Sequence, residues 1–271
     1  MRIVRRSTVS VKGPSHTPPD CAADMAGLFV TGTDTGVGKT VLSAALLAAM
    51  RAAGEEVMAH KPAVTGLGEP PEGEGPPWPA DHELLGAAAA ITPEEVTPRR
   101  YAAAVAPPLA AEIAGERLTR EEVVEAARAA LASASQADRA GVPRTLVVEG
   151  AGGLLSPLAG DFTVCDLAVA LGLPLLIAAR PGLGTINHTL LTLRSARASG
   201  LSVRAVVLTP WPERPSRLES YNRDTIARLG GVEVEVLARA DSAEIAELAR
   251  VGDALPWRRW LGGRVAVAEA V

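Results

Sequence analysis

From Leu28 onward, short runs of aliphatic and β-branched residues alternate with longer stretches rich in Ala and Leu. The short runs Leu28–Thr31, Val57–Lys61, Thr145–Val148, Pro174–Ala179, Val203–Leu208 and Val232–Leu237 are the strand candidates, and helices fill the gaps. That order is the signature of βα units, so the chain is expected to be α/β, with a mostly parallel sheet flanked by helices on both faces. Local signals mark several helix ends. Thr40–Ala53 stops at Gly54, a residue suited to the left-handed end of a helix. Thr92-Pro93-Glu94-Glu95 and Thr119-Arg120-Glu121-Glu122 each place a Glu three positions after a Thr, the spacing of a capping box. Asp81 reads either as the N-cap of a helix over His82–Ala90 or as a functional acid.

Two segments break the alternation. Residues 1–26 mix Arg, Ser, Thr and Pro without an apolar run and are expected to be a disordered tail, with Met25 as a possible alternative start. Gly66–Pro79 is dominated by Gly, Pro and Glu and is expected to be a mobile surface loop. Because the βα pattern continues unchanged on both sides of that loop, residues 27–271 are expected to form one domain.

Composition narrows the possible partners. A net charge of -4 gives no basic footprint for nucleic acid. The longest apolar stretch, Val164–Ala179, contains Asp166 and Pro174 and is shorter than the roughly 20 residues that span a bilayer. Cys21 and Cys165 fit neither a disulfide scaffold nor a zinc or Cys-x-x-Cys redox site. A cytoplasmic protein with no nucleic-acid or membrane partner is expected, with Cys165 a buried small hydrophobe. Of 27 Lys and Arg residues only three are Lys, namely Lys12, Lys39 and Lys61. In so Arg-rich a chain a retained lysine suggests a need for a compact point charge, which a planar guanidinium cannot replace.

The unusual residues follow the strands. The first strand runs into Gly32-Thr33-Asp34-Thr35-Gly36-Val37-Gly38-Lys39-Thr40, and the second into Lys61-Pro62-Ala63-Val64-Thr65-Gly66. The third leads to Glu149-Gly150-Ala151-Gly152-Gly153, and the fourth to Arg180-Pro181-Gly182-Leu183-Gly184-Thr185-Ile186-Asn187-His188. In a parallel sheet these carboxyl ends share one edge, where ligands bind. The first loop is a phosphate cradle of the P-loop kind, one residue longer than the usual spacing between its glycines, so the fold class is P-loop NTPase-type. Lys39 would reach the terminal phosphates and Thr40 would offer its hydroxyl to Mg²⁺. A metal-bound triphosphate needs further oxygen ligands, for which Glu149 and Asp81 are the candidates. Lys61 and Lys39 facing one crevice would stabilise an anion developing beside the γ-phosphate. His188 is given no catalytic role, and His16, His60 and His82 are unassigned.

The stretches GTDTGVGKT (32–40), HKPAVTG (60–66), VEGAGGLLSPL (148–158) and GTINHTLLT (184–192) resemble, in order and spacing, the dethiobiotin synthase family. The resemblance covers most of residues 27–240. It implies an ATP-dependent cyclo-ligase of biotin biosynthesis: CO2 joins an amine of 7,8-diaminopelargonate, ATP phosphorylates the carbamate, and the second amine displaces phosphate to close the ring. By that resemblance Lys61 is the catalytic lysine, with Lys39 and Thr35 assisting, and Thr65 contacts the diamine. Thr40, Asp81 and Glu149 match the Mg²⁺ site. Gly36, Val37, Gly38, Lys39, Thr40 and Val41, together with Glu149, Gly150, Ala151 and Gly152, match the nucleotide loops. Asn187 falls in a stretch that helps form a homodimer and the pocket for the substrate carboxylate.

The chain departs from the family where an Asn-Asp pair often reads the base; here Leu208-Thr209-Pro210-Trp211-Pro212 stands instead, leaving Thr209 and Pro210 as the candidate base contacts. Further on, Leu237-Ala238-Arg239-Ala240 stands where the family commonly has Ile-Pro-Trp. The nucleotide is therefore expected to be ATP or another nucleoside triphosphate. Two other readings of the P-loop are weaker. A MinD/ParA-like ATPase switch would carry a second lysine near the start of the loop, where Gly32–Gly36 has none, and an amidotransferase-type synthase would need a glutaminase domain for which no length remains.

Overall fold

The computed structural model describes residues 27–69, 78–136 and 143–262. The expected tail at 1–26 and most of the expected loop, residues 70–77, lie outside the described residues. The long apolar runs become a six-stranded sheet in the order β2-β3-β1-β6-β7-β8. Its strands are β1 (Gly27–Gly32), β2 (Val57–His60), β3 (Thr145–Glu149), β6 (Leu175–Ala179), β7 (Val203–Trp211) and β8 (Glu233–Ala238), and every neighbouring pair is parallel. A two-stranded antiparallel hairpin, β4 (Pro157–Ala159) and β5 (Phe162–Thr163), lies apart from it.

Alternate residues of the sheet feed two cores, because successive side chains of a strand point to opposite faces. Phe29, Val148, Ile177 and Val206 pack on one face with side chains from α5 (Arg120–Ser135), α6 (Val164–Leu171) and α7 (Thr185–Ala198). Leu28, Val30, Val147, Ala178 and Val207 pack on the other with α1 (Lys39–Ala52), α2 (Asp81–Ala89) and α9 (Ile245–Asp253). Burial on both faces explains why these strands read as unbroken apolar runs. Helix α1 carries the phosphate loop at its N-terminus, and small side chains let α9 press close to it. A Cβ on Gly252 would lie 2.1 Å from the Ala45 carbonyl oxygen, so only glycine fits there.

The capping boxes form as expected: Thr119 accepts from the Glu122 amide at the start of α5, and Thr92 from that of Glu95 at the start of α3 (Pro93–Val96). Of the two readings of Asp81, the N-cap is not the one observed. Ala80 is the N-cap and Asp81 is the first helical residue, with its carboxylate turned to a lysine instead of to the helix amides. Strand β7 runs beyond the expected end at Leu208 and takes in Pro210. Its partner β6 pairs only as far as Leu208, so the missing N–H of Pro210 costs no bond on that side. The first residues of the expected surface loop are anchored: the amides of Gly66, Leu67 and Gly68 donate to the carbonyls of Ala103, Tyr101 and Ala102.

Candidate active site

The carboxyl ends of β1, β2 and β3 are adjacent in the sheet, which brings their loops to one place. After β1 the chain turns through Gly36 (φ 68°) and Gly38 (φ 90°) into α1. These left-handed angles suit glycine. Crowding adds a second reason, since a Cβ on Gly38 would lie 2.9 Å from the Thr209 methyl. Among the described residues, the amides of Gly36, Val37 and Gly38 donate to no backbone carbonyl. Unspent N–H groups at a helix N-terminus form an anion-binding cradle.

Lys61, which follows β2, is the centre of the site. Its ammonium is buried and lies 2.5 Å from Glu149 Oε1 and 2.7 Å from Asp81 Oδ2. Thr40 donates its hydroxyl to the same Glu149 Oε1 at 2.9 Å. Thus Thr40, Lys61, Asp81 and Glu149, read separately from four segments of sequence, meet around one point. Burial alone would lower the Lys61 pKa; Glu149 and Asp81, by charge and hydrogen bonding, overcome this and hold it above the ordinary lysine range. Asp81 shows the converse. Burial would raise it, but the Lys61 ammonium brings its carboxyl below the usual value.

Lys39 is also buried, and its Nζ donates to the Asp34 carbonyl at 2.9 Å. Burial pushes its pKa down to about 8; the nearby Lys61 charge lowers it further while Glu149 and Asp81 pull the other way. The two lysines therefore differ: the two carboxylates favour the charged form of Lys61, whereas burial favours the neutral form of Lys39.

The donor set fits a magnesium ion by its own chemistry. Glu149 Oε2 is buried and has no hydrogen-bond partner, leaving an oxygen beside the Thr40 hydroxyl and the Asp81 carboxylate. Among the described residues no cluster of three His, Cys, Asp or Glu side chains could hold a metal by itself. That agrees with the habit of Mg²⁺, which takes one or two carboxylates and completes its shell with phosphates and water.

The remaining expected residues fall around this centre. Thr35 is exposed, and its Oγ1 would be 3.7 Å from a Cβ on Gly152, so the first and third loops face each other. Gly150 is buried and could bear no Cβ, which would lie 2.6 Å from Val164. Ala151 is half-buried beside Gly152, and Val41 is half-buried in the first turn of α1. Thr209 is buried with its methyl against Gly38, so this side chain packs on the phosphate loop, while Pro210 is exposed at the end of β7. Thr65 is half-buried in a segment whose neighbour Val64 exchanges backbone hydrogen bonds with Arg99 and Tyr101. Asn187 is exposed in the first turn of α7. Among the described residues no hydrogen bond joins Thr65 or Asn187 to the Lys61 cluster. His188 is exposed, and Cys165 is a buried free thiol within the core, as its reading as a small hydrophobe requires.

His60, left unassigned in the sequence, is buried at the end of β2 with Nε2 unpartnered, and burial drives its pKa down to about 4. An unfolded histidine takes up a proton near pH 6.5, so the unfolded state binds more protons between pH 6.5 and 4. Stability is therefore expected to fall as pH drops through that window, by about 3 kcal/mol from this residue. Denaturant midpoints of wild type and His60→Gln between pH 7 and 4 check it. The variant should show a shallower decline, by about one proton, and parallel curves would refute the assignment.

A family model described as an AAA domain matches residues 26–244. An ATP-dependent dethiobiotin synthetase of Anaeromyxobacter sp. (strain Fw109-5) is 42% identical over 244 residues, which cover 89% of this chain and 98% of that protein. One from Anaeromyxobacter sp. (strain K) is 45% identical over 76% of this chain and 86% of its own length. One from Mycobacterium sp. (strain KMS) is 41% identical over 88% of this chain and 99% of its own length.

Proposed function

We infer the reaction from one premise: this chain belongs to the ATP-dependent dethiobiotin synthetase family, whose members match it at 41–45% identity over most of its length. The activity is ATP-dependent formation of dethiobiotin in biotin biosynthesis; the ATPase-switch reading is not favoured. The substrates are 7,8-diaminopelargonate, CO2 or bicarbonate, and ATP. The single observation that carries the site assignment is the buried Lys61 ammonium held between Glu149 and Asp81 beside the phosphate loop.

An ammonium has three N–H donors, and two carboxylates take two of them. The third serves the carbamate and the phosphoryl group that it receives. One diamine nitrogen attacks CO2 and loses a proton to give the carbamate. A carbamate oxygen then takes the γ-phosphoryl group, releasing ADP. The second amine attacks the carbonyl of this mixed anhydride, and phosphate leaves as the ring closes. Negative charge grows on the transferred group during the middle step; Lys61, held charged by its two carboxylates, is placed to meet it, and Lys39 adds its ammonium when protonated. Thr35 assists from the facing loop, Thr65 contacts the diamine, and the amides from Gly36 to Val41 bind the phosphates together with the loop Glu149–Gly152.

Thr40, Asp81 and Glu149 would hold Mg²⁺, which when bound neutralises charge on the β- and γ-phosphates. Thr209 and Pro210 lie where the base is expected. Asn187 and Leu191 are four residues apart on α7 and share a face, and Leu183 precedes them at 91% exposure, a surface suited to the partner of a homodimer. The protein works in the cytoplasm, and 27–271 act as one domain. Among the described residues no helix is long and apolar enough to cross a membrane.

Incubation with 7,8-diaminopelargonate, bicarbonate, Mg²⁺ and ATP tests the reading. Dethiobiotin and ADP should appear in equal amounts by mass spectrometry, and ATP hydrolysis indifferent to the diamine would overturn it.

A further inference from the structure

Arg180, at the carboxyl end of β6, is exposed, and within 4 Å no described carboxylate pairs with it. Its guanidinium instead donates twice to one oxygen of the phosphate loop, from Nε at 3.2 Å and Nη2 at 3.0 Å to the Gly36 carbonyl. In a planar trans peptide the carbonyl of one residue and the N–H of the next point in opposite directions. Fixing the Gly36 carbonyl on the Arg180 side therefore turns the Val37 N–H to the other side, and that N–H is one of the unspent donors of the cradle. Gly36 itself is in the left-handed conformation at φ 68°.

Arg180 is itself supported from behind. Asn222, buried on α8 (Arg217–Gly230), donates its amide to the carbonyls of Pro181 at 2.8 Å and Gly182 at 3.0 Å, the two residues that follow Arg180. A buried side chain that spends both N–H groups on one turn fixes the direction in which the chain leaves β6. We propose that Arg180 and Asn222 are positioning residues for nucleotide binding: Asn222 sets the turn, and from it Arg180 clamps the Gly36 carbonyl so that the phosphate loop presents its amides to the triphosphate. This rests on the reading of the loop as an ATP site.

Donors that grip the phosphates equally before and during transfer affect KM more than kcat. Arg180→Ala should therefore raise the calorimetric Kd of MgATP and the KM for ATP by about tenfold, the worth of a charge-assisted hydrogen bond, while kcat for dethiobiotin stays within about threefold. Arg180→Lys, which keeps the charge but can reach the carbonyl with only one N–H at a time, should recover part of the loss. Asn222→Ala should raise the same Kd by about threefold through a neutral hydrogen bond alone. Unchanged Kd and KM in Arg180→Ala would overturn the proposal. So would a loss in Arg180→Ala with none in Asn222→Ala, which would make Arg180 a direct phosphate ligand with no relay behind it. If the wild type binds MgATP yet makes no dethiobiotin, the ligase reading fails, while a weakened Kd in both variants still supports the clamp.

Discussion

Replacing Lys61 by arginine is expected to abolish dethiobiotin formation while MgATP still binds. The space is built for a small cation: the ammonium is buried and bridges two carboxylates, with 2.5 Å to Glu149 and 2.7 Å to Asp81. A guanidinium carries the same charge, but it is planar, broader, and directs its donors in a fixed fork. It can satisfy one carboxylate face-on, and then its far nitrogens fill the place proposed for the carbamate. Losing a preorganised cation at developing negative charge costs about 10²–10³ in rate, and blocking the pocket adds to that. The cradle amides and Lys39 are untouched, so calorimetry should find nucleotide affinity near that of the wild type. Turnover within about tenfold of wild type would remove Lys61 from the proposed chemistry.

The elements that carry these groups were legible for one reason. Strands covered on both faces must be apolar throughout, and β1, β3 and β6 appear as runs with ends within a residue or two of the observed ones. The hairpin of β4 and β5 was not legible, because strands of three and two residues leave no periodicity to read. The phosphate loop announced itself by glycines at positions that need left-handed angles. That Lys61, Glu149, Asp81 and Thr40 form one cluster was legible only through the rule that carboxyl ends share an edge. The adjacency of β2, β3 and β1 that makes them touch is a matter of strand order, which no local pattern encodes. Arg180 and Asn222 escaped notice because an arginine in a chain with so many, and an asparagine within a polar helix, differ from their neighbours only by what they touch. Thr209, singled out as a candidate base contact, has a packing role that the sequence does not show: its methyl lies against Gly38 of the phosphate loop.

Glu149→Gln is expected to damage both the magnesium dependence and the fold, and the two effects share a cause. The carboxylate is fully buried; Oε1 accepts from Lys61 and Thr40, and Oε2 has no partner. Glutamine preserves the shape but offers two poor arrangements. With its oxygen toward Lys61 and Thr40, the amide N–H groups take the Oε2 position and remove the oxygen offered there to the metal. Turned over, they confront the Lys61 ammonium. Either way Lys61 keeps only the Asp81 carboxylate, whose side chain is 44% exposed and so a weaker counter-ion. A buried charge that loses one of its two counter-ions is expected to cost up to about 3 kcal/mol, and losing one of two anionic ligands is expected to raise the Mg²⁺ concentration for half-maximal turnover about 10- to 100-fold. Asp81→Asn, at the more exposed carboxylate, should shift magnesium dependence in the same direction with a smaller loss of stability. A magnesium titration of dethiobiotin synthesis and a denaturant melt of both variants separate the two contributions. A Glu149→Gln protein with wild-type melting and an unchanged magnesium midpoint would mean that the buried carboxylate neither balances Lys61 nor holds the ion.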